Sequence, residues 1–148
     1  MKLLLDTHAL VWWWIDDRRL PPNARAAIAH PDSTVYVSAA SMWEIATKYR
    51  LGKWPEVGSL LDQFDATMRR SRFIPLPVSV EHARLAGGLD HPHRDPFDRM
   101  LAAQAKRDAA ALVSGDAIFG ELGVDIIWNN PAPARVRTKV VGSSGGVR

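Results

Sequence analysis

The chain has 148 residues and a mass of 16.4 kDa, the size of one domain, and its 47% hydrophobic residues, with six Trp and four Phe, suffice for a core and exclude a disordered chain. It has no cysteine, which excludes disulfide scaffolds, thiolate zinc sites, Cys nucleophiles and thiol redox motifs. The net charge of +3 does not indicate nucleic-acid binding by the whole chain, because residues 129–148 hold four basic side chains and no acid, while residues 1–128 hold 15 basic and 16 acidic ones.

Five short apolar runs predict β-strands along the first 128 residues. The runs are continuous rather than alternating in polarity, as expected for strands that are buried on both faces of a parallel sheet. Helical patterns separate them, and this order predicts an α/β fold with a parallel sheet wrapped by helices. The five predicted strands are KLLLD, STVYVS, RFIPL, ALVSG and VDIIW.

The clearest helix start in the chain lies at DPFDRMLAAQAKRD. Asp95 is placed to cap the helix, Pro96 occupies the first helical position, and Asp98 follows three residues after the cap. Other segments show amphipathic or Ala-rich patterns between turn residues. They predict further helices at residues 24–30, 42–52, 55–72 and 79–88.

The composition changes after Trp128. The last 20 residues contain Pro, Gly, Ser and Arg and almost no large apolar side chains, so we predict a domain of residues 1–128 and a flexible basic extension of residues 129–148. No apolar run approaches the roughly 18 to 20 residues that cross a bilayer, and Asp6 and His8 interrupt the apolar start of the chain. We therefore expect a soluble cytoplasmic protein without a leader or a membrane partner.

Four acids stand just after predicted strands or in the first turns of the following helices, where a doubly wound sheet presents groups to a ligand. Each also has a structural interpretation. Asp6 and Asp116 can cap the helices that follow them. Glu44 can pair on the helix surface with Lys48, four residues later. Asp98 can complete a capping box.

As a set, the four acids point to a metal site. Carboxylates from four segments at one sheet edge would repel one another unless a divalent cation or shared protons offset their charge. A cluster of oxygen ligands suits Mg²⁺ or Mn²⁺ rather than zinc. Such ions activate water and neutralise charge on a phosphodiester. The set therefore predicts phosphoryl chemistry.

Four motifs now stand in order: LLLDTHALVWW, SAASMWEIATKYRLGK, HRDPFDRMLAAQA and LVSGDAIF, followed by the strand DIIW. In these motifs the chain resembles the PIN domain ribonucleases, in particular the VapC-type toxins of bacterial toxin–antitoxin modules, over about residues 2–128. The resemblance implies a three-layer α/β/α fold with a central parallel sheet of about five strands. It also implies an endoribonuclease that hydrolyses RNA phosphodiester bonds.

The resemblance assigns roles to individual residues. Asp6 and Asp98 would anchor Mg²⁺ or Mn²⁺, Asp116 would ligate it directly or through water, and Glu44 would orient or deprotonate the attacking water. Thr7 and Ser114 would be polar supports or phosphate contacts, and Asp95 would be a helix cap close enough to tune the site. The resemblance also implies a homodimer and a small antitoxin that covers the site, with a basic side chain among the acids.

Two other functions share these residues. A PIN-fold module could bind RNA or a protein without cleaving it, and a metal-dependent phosphatase could use the same acids on small substrates. The strand LLLDTHAL is similar to the aspartate strand of haloacid dehalogenase-like phosphatases, but that family needs a second Asp where this chain has His8. The phosphatase interpretation is weaker for that reason.

Three remaining patterns have both a functional and a structural interpretation. HPHRD at residues 91–95 has the spacing of a zinc hydrolase motif, but the chain has no later histidine to complete such a site, which favours an ordinary loop. The run from Trp12 to Trp14 could stack bases, although consecutive helical residues face different directions and packing is favoured. The arginines at positions 69, 70 and 72 could hold phosphate or form a solvated helix end.

Overall fold

The computed structural model describes residues 1–130, so the predicted extension lies outside the described residues from position 131 onward. Within residues 1–130, five strands alternate with eight α-helices, and a 3₁₀ turn at Pro55–Val57 precedes the fourth helix. The strands are β1 (Lys2–Leu5), β2 (Thr34–Ser38), β3 (Ile74–Leu76), β4 (Ala111–Val113) and β5 (Ile126–Ile127). The helices are α1 (Thr7–Trp14), α2 (Pro22–Ala29), α3 (Ala39–Arg50), α4 (Gly58–Asp62), α5 (Phe64–Ser71), α6 (Val80–Gly88), α7 (Pro96–Arg107) and α8 (Ile118–Glu121).

The sheet is entirely parallel, with the strand order β3-β2-β1-β4-β5. The strand β1 lies at the centre of the sheet and is buried on both faces, which explains its continuous apolar sequence. Leu3 and Leu5 pack into a core on one face of the sheet, while Leu4 packs into a second core on the other face. Helices cover both faces, and the predicted three-layer α/β/α architecture is confirmed.

The two cores use different helices. On the face of Leu3, the core includes Leu10 of α1, Ile28 of α2 and Met68 of α5. On the opposite face, Leu101 of α7 lies in the core that Leu4 joins. The sheet is thus enclosed on both sides, as parallel sheets require.

The prediction of a single helix over residues 55–72 is wrong. That stretch forms the 3₁₀ turn, α4 and α5, and the break falls at Gln63, which has φ of −107° and ψ of 14°. Tight packing shapes the start of this region, because a Cβ added at Gly58 would lie 2.9 Å from the Tyr49 ring. The helix predicted from residue 42 also begins earlier, at Ala39, because the Ser38 hydroxyl accepts the N–H of Ala40 and caps it.

Strand register determines which residues meet at the carboxyl edge of the sheet. Leu5 pairs with Val37 and with Val113, and Val113 pairs with Ile127. The residues that follow these positions therefore share one edge: Asp6, Ser38, Ser114 and Trp128. Across residues 1–130, none of the helices combines the length and the apolar character that crossing a bilayer demands.

Candidate active site

Asp6 lies at the carboxyl end of the central strand and is buried. It is the N-cap of α1, and its Oδ1 accepts the N–H of Ala9 at 2.7 Å. Burial raises the pKa of Asp6 to about 6, a hydrogen bond with Ser114 opposes that rise, and the charges of Asp98 and Glu44 add to it. Asp6 is therefore both a helix cap, as its structural interpretation held, and a desolvated acid among other acids.

Glu44 lies on α3 and is also buried, but donors surround its carboxylate. Thr7 donates its hydroxyl to Oε1 at 2.6 Å, and Lys48 donates to Oε2 at 2.6 Å. The Thr7 hydroxyl also lies 3.1 Å from that of Ser41. The predicted pair with Lys48 exists, yet Glu44 faces inward rather than standing on a solvated surface. Thr7 supports this acid directly.

Asp98 lies in the first turn of α7. Asp95 caps the helix as predicted, because its Oδ1 accepts the N–H groups of Phe97 and Asp98. The Asp98 carboxylate does not complete a capping box, since its Oδ2 lies 2.8 Å from Nε2 of His93. Desolvation raises the pKa of Asp98, the hydrogen bond with His93 lowers it, and the charges of Asp95 and Glu44 raise it.

Asp116 follows β4 and is exposed. Its Oδ1 accepts the N–H of Ile118 at 3.0 Å, so it supports the turn into α8, although Ala117 is the residue that caps that helix. Its own N–H donates to the hydroxyl of Ser114 at 3.0 Å. Ser114 thus connects the exposed Asp116 to the buried Asp6.

The structure brings the four acids to one edge of the sheet, but they are not all equally close to one another. Asp6, Glu44 and Asp98 are near enough that their charges act on one another. Asp116 shares with Asp6 an open cleft of about 620 Å³. Within the part of the chain that the structure describes, no three His, Asp or Glu side chains are close enough together to hold a metal ion.

The chemistry of these donors fits a hard divalent cation. The ligating atoms are carboxylate oxygens, which Mg²⁺ and Mn²⁺ prefer. Asp6 is desolvated and repelled by Asp98 and Glu44, so a cation at this edge would supply a countercharge.

Arg99 is a functional candidate that sequence reasoning missed. Its guanidinium donates to five backbone carbonyls, on either side of the turn that carries His93 into contact with Asp98. The acceptors are the carbonyl oxygens of Ala86, Gly87, Leu89, His91 and His93, at 2.7 to 3.4 Å. Only the position of Arg99 one turn after the helix cap could have drawn attention to it.

The loop interpretation of HPHRD accounts for both histidines. His91 Nε2 lies 3.2 Å from Oε2 of Glu121, and His93 contacts Asp98. Their rings are 6.4 Å apart, and each faces a different carboxylate. The arginines at positions 69, 70 and 72 are exposed at the end of α5, consistent with a solvated helix end.

The three consecutive tryptophans of α1 all pack against the core, as the packing interpretation predicts. Trp13 packs against Phe73 at 5.9 Å, and Trp14 packs edge-on against Phe64 at 5.6 Å. Trp12 also lines the cleft that contains Asp6 and Asp116.

Comparisons with known proteins give a consistent family. The PIN domain family model matches residues 3–124. Ribonuclease VapC16 of Mycobacterium tuberculosis is 42% identical over 64 residues, which span 43% of this chain and 44% of that relative. Ribonuclease VapC22 of the same organism is 29% identical over 114 residues, 77% of this chain and 86% of that relative.

Solved structures share the fold at low sequence identity. VapBC2 from Rickettsia felis, solved bound to a DNA fragment from its promoter, matches with a TM-score of 0.62 and 17% identity, covering 85% of this chain and 97% of that chain. A toxin–antitoxin complex from Klebsiella pneumoniae matches with a TM-score of 0.59 and 15% identity, covering 88% of this chain and 99% of that chain.

Proposed function

The chain belongs to the PIN domain family, and from that premise we propose that it is a metal-dependent endoribonuclease, the toxin of a toxin–antitoxin pair. The relatives named ribonuclease VapC16 and VapC22 support the reaction class. The observation that carries the proposal is the buried Asp6 at the end of β1, with the charges of Glu44 and Asp98 acting on it. Such an arrangement favours a bound cation and hydrolysis of a phosphodiester.

The four acids have two roles, metal binding and activation of water. Asp6, Asp98 and Asp116 would hold Mg²⁺ or Mn²⁺, which supplies activation of water and neutralisation of phosphate charge when bound. Glu44 orients or deprotonates the attacking water. Its two oxygens accept from Thr7 and Lys48, and each carboxylate oxygen keeps a further acceptor position for that water.

Neighbouring groups hold these acids in place. Thr7 fixes Glu44 from α1, and Ser114 holds Asp6 while it receives the N–H of Asp116. Asp95 fixes the first turn of α7, which presents Asp98. Precise placement matters because the reacting groups must meet in a narrow range of distances.

The proposal includes partners and a location. The solved neighbours include a toxin–antitoxin complex from Klebsiella pneumoniae and the VapBC2 assembly of Rickettsia felis, which supports a cognate antitoxin for this chain. That antitoxin would cover the acids and place a basic side chain among them, which supplies the same countercharge as a cation. We assign the active form to a homodimer in the cytoplasm, acting on RNA.

Cleavage of a mixed cellular RNA pool by the purified protein tests the proposal. With Mg²⁺ or Mn²⁺ we expect discrete fragments, which disappear with EDTA and with the Asp6→Asn and Asp98→Asn variants. An exposed acid, Asp62, provides the matched control as Asp62→Asn. Intact RNA with the wild-type protein, once it is shown to bind Mn²⁺ and to be free of antitoxin, would contradict the proposal.

A PIN-fold module that binds RNA without cleaving it is the second candidate. It is favoured by one observation, that within residues 1–130 no three acid or imidazole side chains stand close enough to hold a metal. The cleavage experiment separates the two, because a binding module would retain RNA and leave it intact under every metal condition.

A further inference from the structure

The cleft beside Asp6 and Asp116 has an aromatic wall that the proposed chemistry does not use. Trp12 and Trp128 line it, with ring centroids 5.9 Å apart and planes tilted by 46°. Both rings are half-buried, so neither is an isolated surface residue. The acids and the rings therefore share one open space.

Trp128 is held against the backbone next to the acid. A Cβ added at Gly115 would lie 2.7 Å from the Trp128 ring, closer than real Cβ contacts come. The ring thus packs directly on the Gly115 backbone, between Ser114 and Asp116 in sequence. Any larger residue at position 115 would displace the ring from this place.

Trp12 carries a fixed cation over its ring. The Arg19 guanidinium lies 4.8 Å from the Trp12 centroid. Asp17 holds it there through two hydrogen bonds, from Nε to Oδ1 at 3.1 Å and from Nη2 to Oδ2 at 2.8 Å. The cleft is lined by this cation as well as by the rings.

The surroundings of Trp12 continue the aromatic surface. The His8 ring lies 5.4 Å from Trp12 and 5.1 Å from Trp54. The cleft volume of about 620 Å³ falls within the roughly 300 to 1,000 Å³ of small-molecule sites. Its lining of ring faces, one cation and hydrogen-bonding edges matches what a nucleotide presents.

We propose that this cleft binds an unpaired nucleobase of the RNA, stacked on Trp12 and Trp128, in the nucleotide adjacent to the phosphodiester at the acids. The inference rests on the proposed function for its substrate class. A base inside a duplex has both faces covered by its neighbours, so stacking on these rings selects single-stranded or looped RNA. Arg19 contacts the backbone phosphate or the edge of that nucleotide.

Binding of a fluorescein-labelled, unstructured oligoribonucleotide in EDTA tests the inference without cleavage or metal. Trp12→Ala and Trp128→Ala should each weaken binding by about 5- to 100-fold, the range measured for loss of one stacking partner. Trp12→Phe, which keeps an aromatic ring, should retain most of the wild-type affinity. Trp43→Ala is the matched control, because Trp43 is 64% exposed and lies outside this cleft.

A cycle between protein and RNA identifies stacking rather than a general loss of structure. An oligonucleotide with an abasic site at the stacked position should bind the wild-type protein at least as weakly as the normal oligonucleotide binds Trp12→Ala, because the missing base also loses its contact with Trp128. The two losses should not add when variant and abasic RNA are combined. Thermal unfolding of Trp12→Ala near the wild-type temperature confirms a folded variant, and Trp128→Ala with the same abasic RNA carries the test if that variant unfolds.

The outcomes of the inference and of the proposed function are distinguishable. Equal binding by the wild type, Trp12→Ala and Trp128→Ala, with cleavage still lost in Asp6→Asn, would overturn the nucleobase site and leave the nuclease standing. Tryptophan-dependent binding without cleavage under any metal condition would support the nucleobase site and reject the nuclease. Equal affinity for duplex and single-stranded RNA would also overturn the site.

Discussion

Asp6 and Glu44 are two buried acids at the same edge of the sheet, but their charges are compensated differently. Glu44 accepts from the Lys48 ammonium and from the Thr7 hydroxyl, so the fold itself supplies its partners. Asp6 accepts from one N–H of α1 and from Ser114, and burial with two nearby acids raises its pKa to about 6. Within residues 1–130 no cation pairs with Asp6, and a buried charge without such a partner marks where a ligand supplies one.

The two acids also differ in whether their surroundings serve structure or chemistry. Lys48 and Thr7 fix the orientation of Glu44 before any substrate arrives, as an acid that positions water requires. Asp6 keeps a destabilising charge in the folded state at neutral pH. Natural proteins retain such local costs mainly at functional sites.

The largest expected effect is on cleavage. Asp6→Asn should lower kcat by about 10³-fold or more, because an amide cannot provide the charge that holds the cation. Glu44→Gln should also lower kcat, yet leave Mn²⁺ binding unchanged, because Glu44 acts on water rather than on the ion. Rates on a mapped RNA substrate, paired with Mn²⁺ affinity for each variant, check this difference. Loss of Mn²⁺ binding in Glu44→Gln with normal binding in Asp6→Asn would reverse the two roles.

The pH dependence of stability follows from the raised pKa of Asp6. An acid whose pKa is about 6 when folded and about 3.9 when unfolded costs nothing below about pH 4, where it is protonated in both states. Its cost grows as the pH rises through that window and reaches about 3 kcal/mol above pH 6.

Asp6→Asn should therefore be more stable than the wild type at pH 7.5 in EDTA and equal to it at pH 4. The asparagine retains the helix cap, because Asn is as good an N-cap as Asp. Urea unfolding at pH 4, 6 and 7.5 measures the difference, and Asp62→Asn is the control for loss of an exposed acid. A difference that stays constant across this range would show that Asp6 titrates normally.

Removing the Lys48 partner of Glu44 should lower the stability of the protein, whereas Asp6→Asn should raise it. Lys48→Met leaves the Glu44 carboxylate buried without its cation and should lower the free energy of unfolding by about 2 kcal/mol at pH 7.5. The loss is smaller than for a fully buried pair, because the Lys48 side chain is 35% exposed. Equilibrium unfolding of Lys48→Met and of the double variant with Glu44→Gln tests this, since the second change should recover most of the loss. No recovery would mean that Lys48 acts through other contacts.

The smallest effect concerns the turn that carries His93. Arg99→Lys replaces a planar guanidinium that serves five carbonyls with one ammonium that has three donors, and should destabilise the protein by about 1 kcal/mol. Hydrogen exchange should increase in residues 88–95 before it increases elsewhere. The neighbouring Arg94, which is exposed, gives the control Arg94→Lys. Equal exchange in both variants would remove Arg99 from its positioning role.

Much of the fold was predictable because its signals are local. The leucine run of β1 predicts a strand buried on both faces, and the order Asp95, Pro96 predicts the start of α7 within one residue. The break at Gln63 was not predictable, because neither a glycine nor a proline marks it in the sequence. Propensity alone cannot place such a break.

The candidate site likewise has some features that the sequence predicts and others that it does not. Register at the carboxyl edge follows from the strands, so the positions of Asp6 and Ser114 were accessible from sequence. The donors around Glu44 and the five carbonyls around Arg99 were not, because side-chain hydrogen bonds depend on rotamers and on loops. Trp128 could have been found, since it directly follows β5 at that same edge.

Calorimetric titration of Mn²⁺ into the protein at pH 7.5 most directly tests whether a cation compensates Asp6. We expect binding by the wild type and by Glu44→Gln, loss of binding in Asp6→Asn, and unchanged binding in the control Asp62→Asn. Equal Mn²⁺ affinity in the wild type and in Asp6→Asn would contradict it, because the uncompensated carboxylate at the end of β1 would then have no part in holding the ion.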